Sequence, residues 1–164
     1  MSGPMAGVDF DGAYAAKTRG PAAPAFSLGQ KMEDADGNVF IFVQANGAIT
    51  ANDVVIITEA FQADQADTTN SATAFGDLVG IAKGTLADDE YGWMQVYGQA
   101  TANVANSCAA NTTLNTTATA GRLDDDATTG AEAIDGLVLT TAAAADGTTA
   151  PATLNYPTVG ATLS

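Results

Sequence analysis

Val39-Phe40-Ile41-Phe42-Val43 and Val54-Val55-Ile56-Ile57 are apolar at every position and built from β-branched and aromatic residues. Side chains of a strand alternate between two faces, so both faces of these strands are apolar. That pattern predicts strands covered on both sides, and the β-branched run argues against helix. Asp34-Ala35-Asp36-Gly37-Asn38 reads as a tight turn before the first, and Ala45-Asn46-Gly47-Ala48 supplies an Asn-Gly turn after it.

Outward from this pair the same grammar repeats. Residues 59–77 are polar and poor in aliphatic side chains, and read as a long surface loop. Leu78-Val79-Gly80-Ile81-Ala82 is a short strand, and Leu86-Ala87-Asp88-Asp89-Glu90 an acidic turn. Tyr91-Gly92-Trp93-Met94-Gln95-Val96-Tyr97-Gly98 is a strong strand with Trp93, Gln95 and Tyr97 on one face and Met94 and Val96 on the other. Its glycines suggest close backbone approach or a bulge. Thr101–Gly121 suggests short irregular strands, and Leu123-Asp124-Asp125-Asp126 an exposed turn. Ala133–Thr140 is a fourth clear strand region. Thr141–Pro151 reads as a loop or weak edge, while Thr153–Tyr156 and Val159–Leu163 either return to the sheet or pack on a neighbour. Short strands divided by Gly-, Asn- and Asp-containing turns predict an all-β chain, a small β-barrel or β-sandwich.

Residues 1–27 differ from the rest, with Pro4, Pro21 and Pro24 interrupting regular structure. They read as an extended N-terminal arm, with 28–164 as the β-rich domain. Lys17, Arg19 and Lys31 lie in or just after the arm, and Phe10, Tyr14 and Phe26 are its apolar anchors. Two readings stand: a floppy terminus, or an arm that orders on a partner surface with its cations meeting carboxylates there. The opening residues lack a basic region followed by an apolar run, so no signal peptide is expected, and a cytosolic origin is the simple reading. No stretch is apolar enough to span a bilayer, so no membrane partner is expected.

The chain of 164 residues carries 5 basic and 19 acidic side chains, for a net charge of −14. Such a charge disfavours nucleic acid, whose phosphates reward Lys and Arg. There is no His and a single Cys, which removes His-based acid/base chemistry, an intrachain disulfide and zinc sites of several Cys or His. Charged residues make up only 15%, and Ala is a large part of the 46% hydrophobic fraction. Large apolar side chains are therefore scarce, and thin layers and close seams of small residues are expected.

No phosphate-binding glycine loop is present; Lys83-Gly84-Thr85 has its residues in the wrong order. Cys108 has no His to activate it and reads as a small buried residue. The carboxylates Asp9/Asp11, Asp34/Asp36, Asp88/Asp89/Glu90 and Asp124/Asp125/Asp126 sit in turns and read as solvated capping groups; a divalent cation, Ca²⁺ first, is the alternative. Trp93 and Tyr97 offer either a sugar or base platform or the largest pieces of a small core. The core expected from this reading is Phe40, Phe42, Val55, Ile57, Tyr91, Trp93 and Val96. No catalytic residue, metal site or cofactor is expected.

The run Gly37–Val55, with Ile49-Thr50-Ala51-Asn52-Asp53-Val54-Val55 at its end, resembles the opening half of tailed-phage head decoration (capsid cement) proteins. Asn52 stands where that pattern often has Gly. Val79-Gly80-Ile81-Ala82 followed by Tyr91-Gly92-Trp93-Met94-Gln95-Val96-Tyr97-Gly98 is similar to the second half, and Gly121-Arg122-Leu123 and Ile134-Asp135-Gly136 to its trailing turns. The likeness covers roughly residues 28–139, and Tyr-Gly-Trp-x-Gln-Val is its most specific part. It implies a β-tulip-like body and a non-enzymatic virion protein, made in the host cytoplasm and placed on the outer surface of the head. The implied partner is the major capsid protein, whose neighbouring subunits it would clamp, often as a homotrimer near local three-fold axes. Phe10, Tyr14, Lys17, Arg19 and Phe26 would then contact the capsid or a neighbouring protomer. A tail or fibre accessory component and a carbohydrate-binding β-module are the alternatives.

Overall fold

The computed structural model describes residues 8–14 and 26–163. Ten strands form one mixed sheet: β1 (Lys31–Glu33), β2 (Val39–Ala45), β3 (Val54–Ile57), β4 (Gln62–Gln65), β5 (Leu78–Ala82), β6 (Tyr91–Asn103), β7 (Leu114–Thr116), β8 (Leu123–Asp124), β9 (Glu132–Leu139) and β10 (Thr149–Thr162). Among the described residues the one helical element is a single 3-10 turn, Ser71–Thr73.

The hydrogen bonding has two halves. In the first, β2 pairs with β4, β4 with β3, β3 with β5, β5 with β6, and β6 again with β2. The β2–β4 pairing is parallel and the rest of this circuit is antiparallel. In the second half, the C-terminal part of β6 pairs with β10, β10 with β9, β9 with β7, and β7 with β8. A parallel bridge from Val104 to Leu123 links the end of β6 to β8.

Three apolar clusters explain why the strongest strands are apolar on both faces. Val55 and Ile57 pack with Ile41, Val43, Ile49, Met94 and Val96 in one cluster. Val54 and Ile56, on the other face of the same strand, pack with Val79, Ile81, Leu114, Leu123, Ile134 and Leu154. β2 divides space in the same way: Ile41 and Val43 face the first cluster, while Phe40 and Phe42 join Trp93, Val8 and Phe10 in a third. Each fully buried side chain of this size contributes about 1.5–3 kcal/mol. Thin layers of small and medium residues thus suffice because each strand serves two of them.

Three expectations from the sequence need correction. Residues 59–77 are not one long loop. They hold β4 and the 3-10 turn, with Ala63 and Ala66 fully buried between outward polar neighbours. Alanine at an inward position carries little periodic signal, which is why the strand was invisible. Thr141–Pro151 is likewise not all loop or edge. Thr149–Pro151 opens β10, the longest strand, which lies between β6 and β9. Its Ala152 and Leu154 are buried, while Pro157 sits where the pairing with β9 shifts register. Proline is tolerated at such an irregularity because no ladder N–H is needed there. Finally, Leu123-Asp124-Asp125-Asp126 is only partly a turn: Leu123 is fully buried and begins β8.

Candidate functional site

The residues that carry the resemblance each have a backbone task. Asp53 is buried and its carboxylate accepts from Thr50 N–H at 2.8 Å, Gln65 Nε2 at 2.5 Å and Asn103 Nδ2 at 2.8 Å. One carboxylate thereby ties the turn before β3 to β4 and β6. Asn52, just before it, has φ 74°, the left-handed region. Asn is among the few residues other than Gly that adopt it at modest cost. Asn52→Val is expected to lose about 1–2 kcal/mol and Asn52→Gly less than about 0.5 kcal/mol, read by urea denaturation.

On β6, Gln95 is buried and its amide donates to Tyr97 O at 3.1 Å and Gln99 O at 2.9 Å. These bonds span the irregularity where Val39 pairs with Tyr97 and Phe40 with Gln95. Gly98 follows at φ 98°, and a Cβ there would lie 2.1 Å from Asn38 Oδ1. Asn38 Oδ1 accepts from Gln99 N–H at 3.0 Å, and Asn38 itself donates to the Asp34 carboxylate through both its backbone N–H and its Nδ2 at 2.9 Å. Burial works to raise the Asp34 carboxyl, but these bonds outweigh it and hold the group below its ordinary range.

The irregularity parts Trp93 from Tyr97. Trp93 is 1% exposed, so the two form no joint platform. Phe40, Phe42, Val55, Ile57 and Val96 are also buried, and Tyr91 is half-buried. Tyr97 instead faces Tyr156 at 5.4 Å between ring centroids, and both are exposed.

The three aromatic anchors of the arm lie on the chain's own body. Phe10 is 4% exposed and stacks on Phe40 at 4.2 Å, with its edge toward Trp93 at 5.4 Å. Tyr14 meets Phe42 at 5.6 Å, and Phe26 meets Trp93 and Phe42 at 5.0 and 5.4 Å. Tyr14 also exchanges both backbone hydrogen bonds with Tyr91, each 2.8 Å. The arm's aromatic groups are therefore the second cover of β2 that its apolar pattern required. Lys17 and Arg19 lie outside the described residues.

Cys108 Sγ and the Asp124 and Asp125 carboxylates lie within 4.8 Å of one another, the one such group among the described residues. Burial, then the hydrogen bond and charge of Asp125, push the Cys108 thiol up to about 12. Burial alone would raise Asp125, but N–H donation from Ala109 and the Cys108 thiol hold it low. The thiol is thus a neutral donor to a carboxylate, the opposite of an activated nucleophile. A disulfide-exchange reagent at pH 8 is expected to label native Cys108 more than about a hundredfold more slowly than the unfolded chain. Comparable rates would contradict this arrangement.

Among the described residues lie two surface hollows. One of about 570 Å³ runs along Ile134–Val138 beside Asn111–Thr113. The other, of about 330 Å³, is lined by the apolar Ile56 and Ala74 and by polar side chains that include Asn46, Gln62, Asp64, Thr73 and Asp77.

A scan against protein-family models finds none that matches the chain. A search of curated proteins returns no match either.

Proposed function

We propose that this chain is a non-enzymatic structural protein of a tailed-phage virion. It binds the outer surface of the head and clamps neighbouring major capsid subunits, as a homotrimer. The observation that carries this reading is the match between motif and backbone at Asn52: the pattern it resembles often has Gly there, and the chain is left-handed there with φ 74°. Gln95 and Gly98 support it in the same way, since each serves the irregularity in the strand that holds Tyr-Gly-Trp-x-Gln-Val. The circuit of β2, β4, β3, β5 and β6 is read as the small barrel of a β-tulip-like body, with the second half-sheet packed beside it.

The non-enzymatic reading rests on how the carboxylates are used. Asp34, Asp53, Asp67 and Asp88 accept backbone N–H groups that hold turns. Attachment is then a matter of many weak contacts repeated over a head, where linked copies gain by effective concentration. The aromatic anchors are turned inward, so Lys17 and Arg19 are the arm residues assigned to the capsid or a neighbouring protomer.

Cryo-microscopy of phage particles containing this chain, with copy number from quantitative mass spectrometry, tests the reading. Hundreds of copies on the outer head, grouped in threes, are expected; a few copies confined to the tail would overturn it. Lys17→Ala with Arg19→Ala is expected to lower head occupancy without changing the melting temperature. Unchanged occupancy would remove the arm from the interface.

A further inference from the structure

The 330 Å³ hollow between β4 and the loop leading into β5 is lined mostly by polar side chains, Thr58 and Asn70 among them. Phe75 stands in that loop between two residues that line it, Ala74 and Asp77, and is 79% exposed. The loop is not slack. Gly76 N–H donates to Val159 O at 2.8 Å, Val159 N–H to Asp77 O at 3.0 Å, and Asp77 N–H to Ala74 O at 2.8 Å. Ser71 Oγ and Thr116 Oγ1 are a further 3.1 Å tie beneath it. A large aromatic side chain is thus held in water by a pinned loop that also carries two of the hollow's lining residues, though Phe75 itself does not line it. The ring gains nothing in folding while it stays in water, so its faces are free to meet a ligand.

The walls say what kind of ligand fits. Asn46 and Gln62 present amides that both donate and accept, Thr73 a hydroxyl that does both, and Asp64 and Asp77 acceptors. Asp64 already accepts from Gln65 N–H at 2.9 Å and Asn46 Nδ2 at 3.4 Å, which fixes its carboxylate and leaves lone pairs over. Such a mixed set matches hydroxyl groups, which donate and accept at once. A guanidinium or ammonium group would use only the acceptors. An anion would meet Asp64, Asp77 and the nearby Glu59. Burial, and after it the charge of Glu59, raise Asp77 above its ordinary range, and hydroxyl donors would favour its ionised form. The apolar Ile56 and Ala74 of its lining and the exposed Phe75 nearby in the chain suit the C–H face of a sugar. The volume lies at the small end of ligand sites.

We propose that this hollow binds a neutral saccharide, one pyranose ring stacked on Phe75 with its hydroxyls on Asp64, Asp77 and the amides. The site is independent of the head-binding reading and survives its failure.

The test uses the full chain, ¹⁵N-labelled, titrated with D-glucose, D-galactose, D-mannose, N-acetyl-D-glucosamine, maltose and cellobiose. At least one is expected to give saturable amide shifts at Asn46, Gln62, Asp64, Thr73 and Asp77, with affinity on the order of millimolar. Phe75→Ala is expected to weaken it at least tenfold with an unchanged melting curve, because the side chain is 79% exposed. Phe75→Trp is expected to retain it. Absence of saturable shifts at the hollow for all six sugars would overturn the proposal, as would a Phe75→Ala protein that binds as the parent does. Shifts there with calcium chloride or N-acetyl-arginine amide, and none with any sugar, would overturn it in favour of a cation site.

Discussion

Phe10→Ala is expected to lower stability by about 3–5 kcal/mol, the range for a large aromatic removed from a core. For a chain of this length that is roughly a 10–15 °C fall in melting temperature. Phe10 stacks on Phe40 and meets Trp93 edge-on, and shares their cluster with Val8, Phe26 and Met32. Trp93 fluorescence is expected to shift to longer wavelength as water reaches the indole. Deleting residues 1–14 should do more, since Val8 and the Tyr14–Tyr91 backbone pair go with it. A melting temperature within a degree or two of the parent would show that the N-terminal segment is not part of the folded body. This result also decides how head attachment is to be tested. Removing the whole arm would unsettle the body and lower occupancy for the wrong reason, whereas the Lys17/Arg19 substitutions leave the aromatic anchors in place.

Asp53→Ala is expected to cost a similar amount, about 3–5 kcal/mol, through a different mechanism. The substitution leaves Thr50 N–H, Gln65 Nε2 and Asn103 Nδ2 without their acceptor, and these groups belong to three separate parts of the chain. Each part-buried donor left unpaired is penalised by its lost solvation, which is why the loss exceeds the net worth of one hydrogen bond. Asp53→Asn should fall between, since one oxygen still accepts while the new amide faces donors. Equilibrium urea denaturation of the three proteins reads the order. Asp53→Asn as damaging as Asp53→Ala would show that charge, not acceptor count, holds the turn.

Much of the first half of the fold was legible from residue order. β2, β3, β5 and the start of β6 are dense in β-branched and aromatic residues, and strand propensity and burial there point the same way. β4 in that half and β10 in the other were read less well because they use small residues. β4 is Gln-Ala-Asp-Gln, and β10 alternates Ala, Thr and Leu around two prolines. Alanine is equally at home in a helix, a loop or a close-packed seam, so alternation of Ala with polar residues carries almost no signal until neighbours are present. Of the candidate sites, the buried thiol could be foreseen from the lack of an activating partner. The hollow beside Phe75 could not, because Asn46, Gln62, Asp64, Thr73 and Asp77 come from three turns and a strand that only the sheet brings together. The one hint was Phe75 itself, which with Phe61 punctuates an otherwise polar stretch.

What the sequence determined by itself is the demand: β2 and β3 are apolar on both faces, so each must be covered twice, whatever the topology. Which segments answer that demand was decided only by the tertiary structure. For β3 it is the two flanking clusters of the same sheet. For β2 it is one of those clusters and the chain's own N-terminal aromatics. Local residue order cannot tell an anchor for a partner from an anchor for oneself, because the same Phe10 gains the same transfer free energy against either surface. The choice falls to the chain's own body through proximity: a tethered segment meets Phe40 and Trp93 at high effective concentration, ahead of any separate molecule.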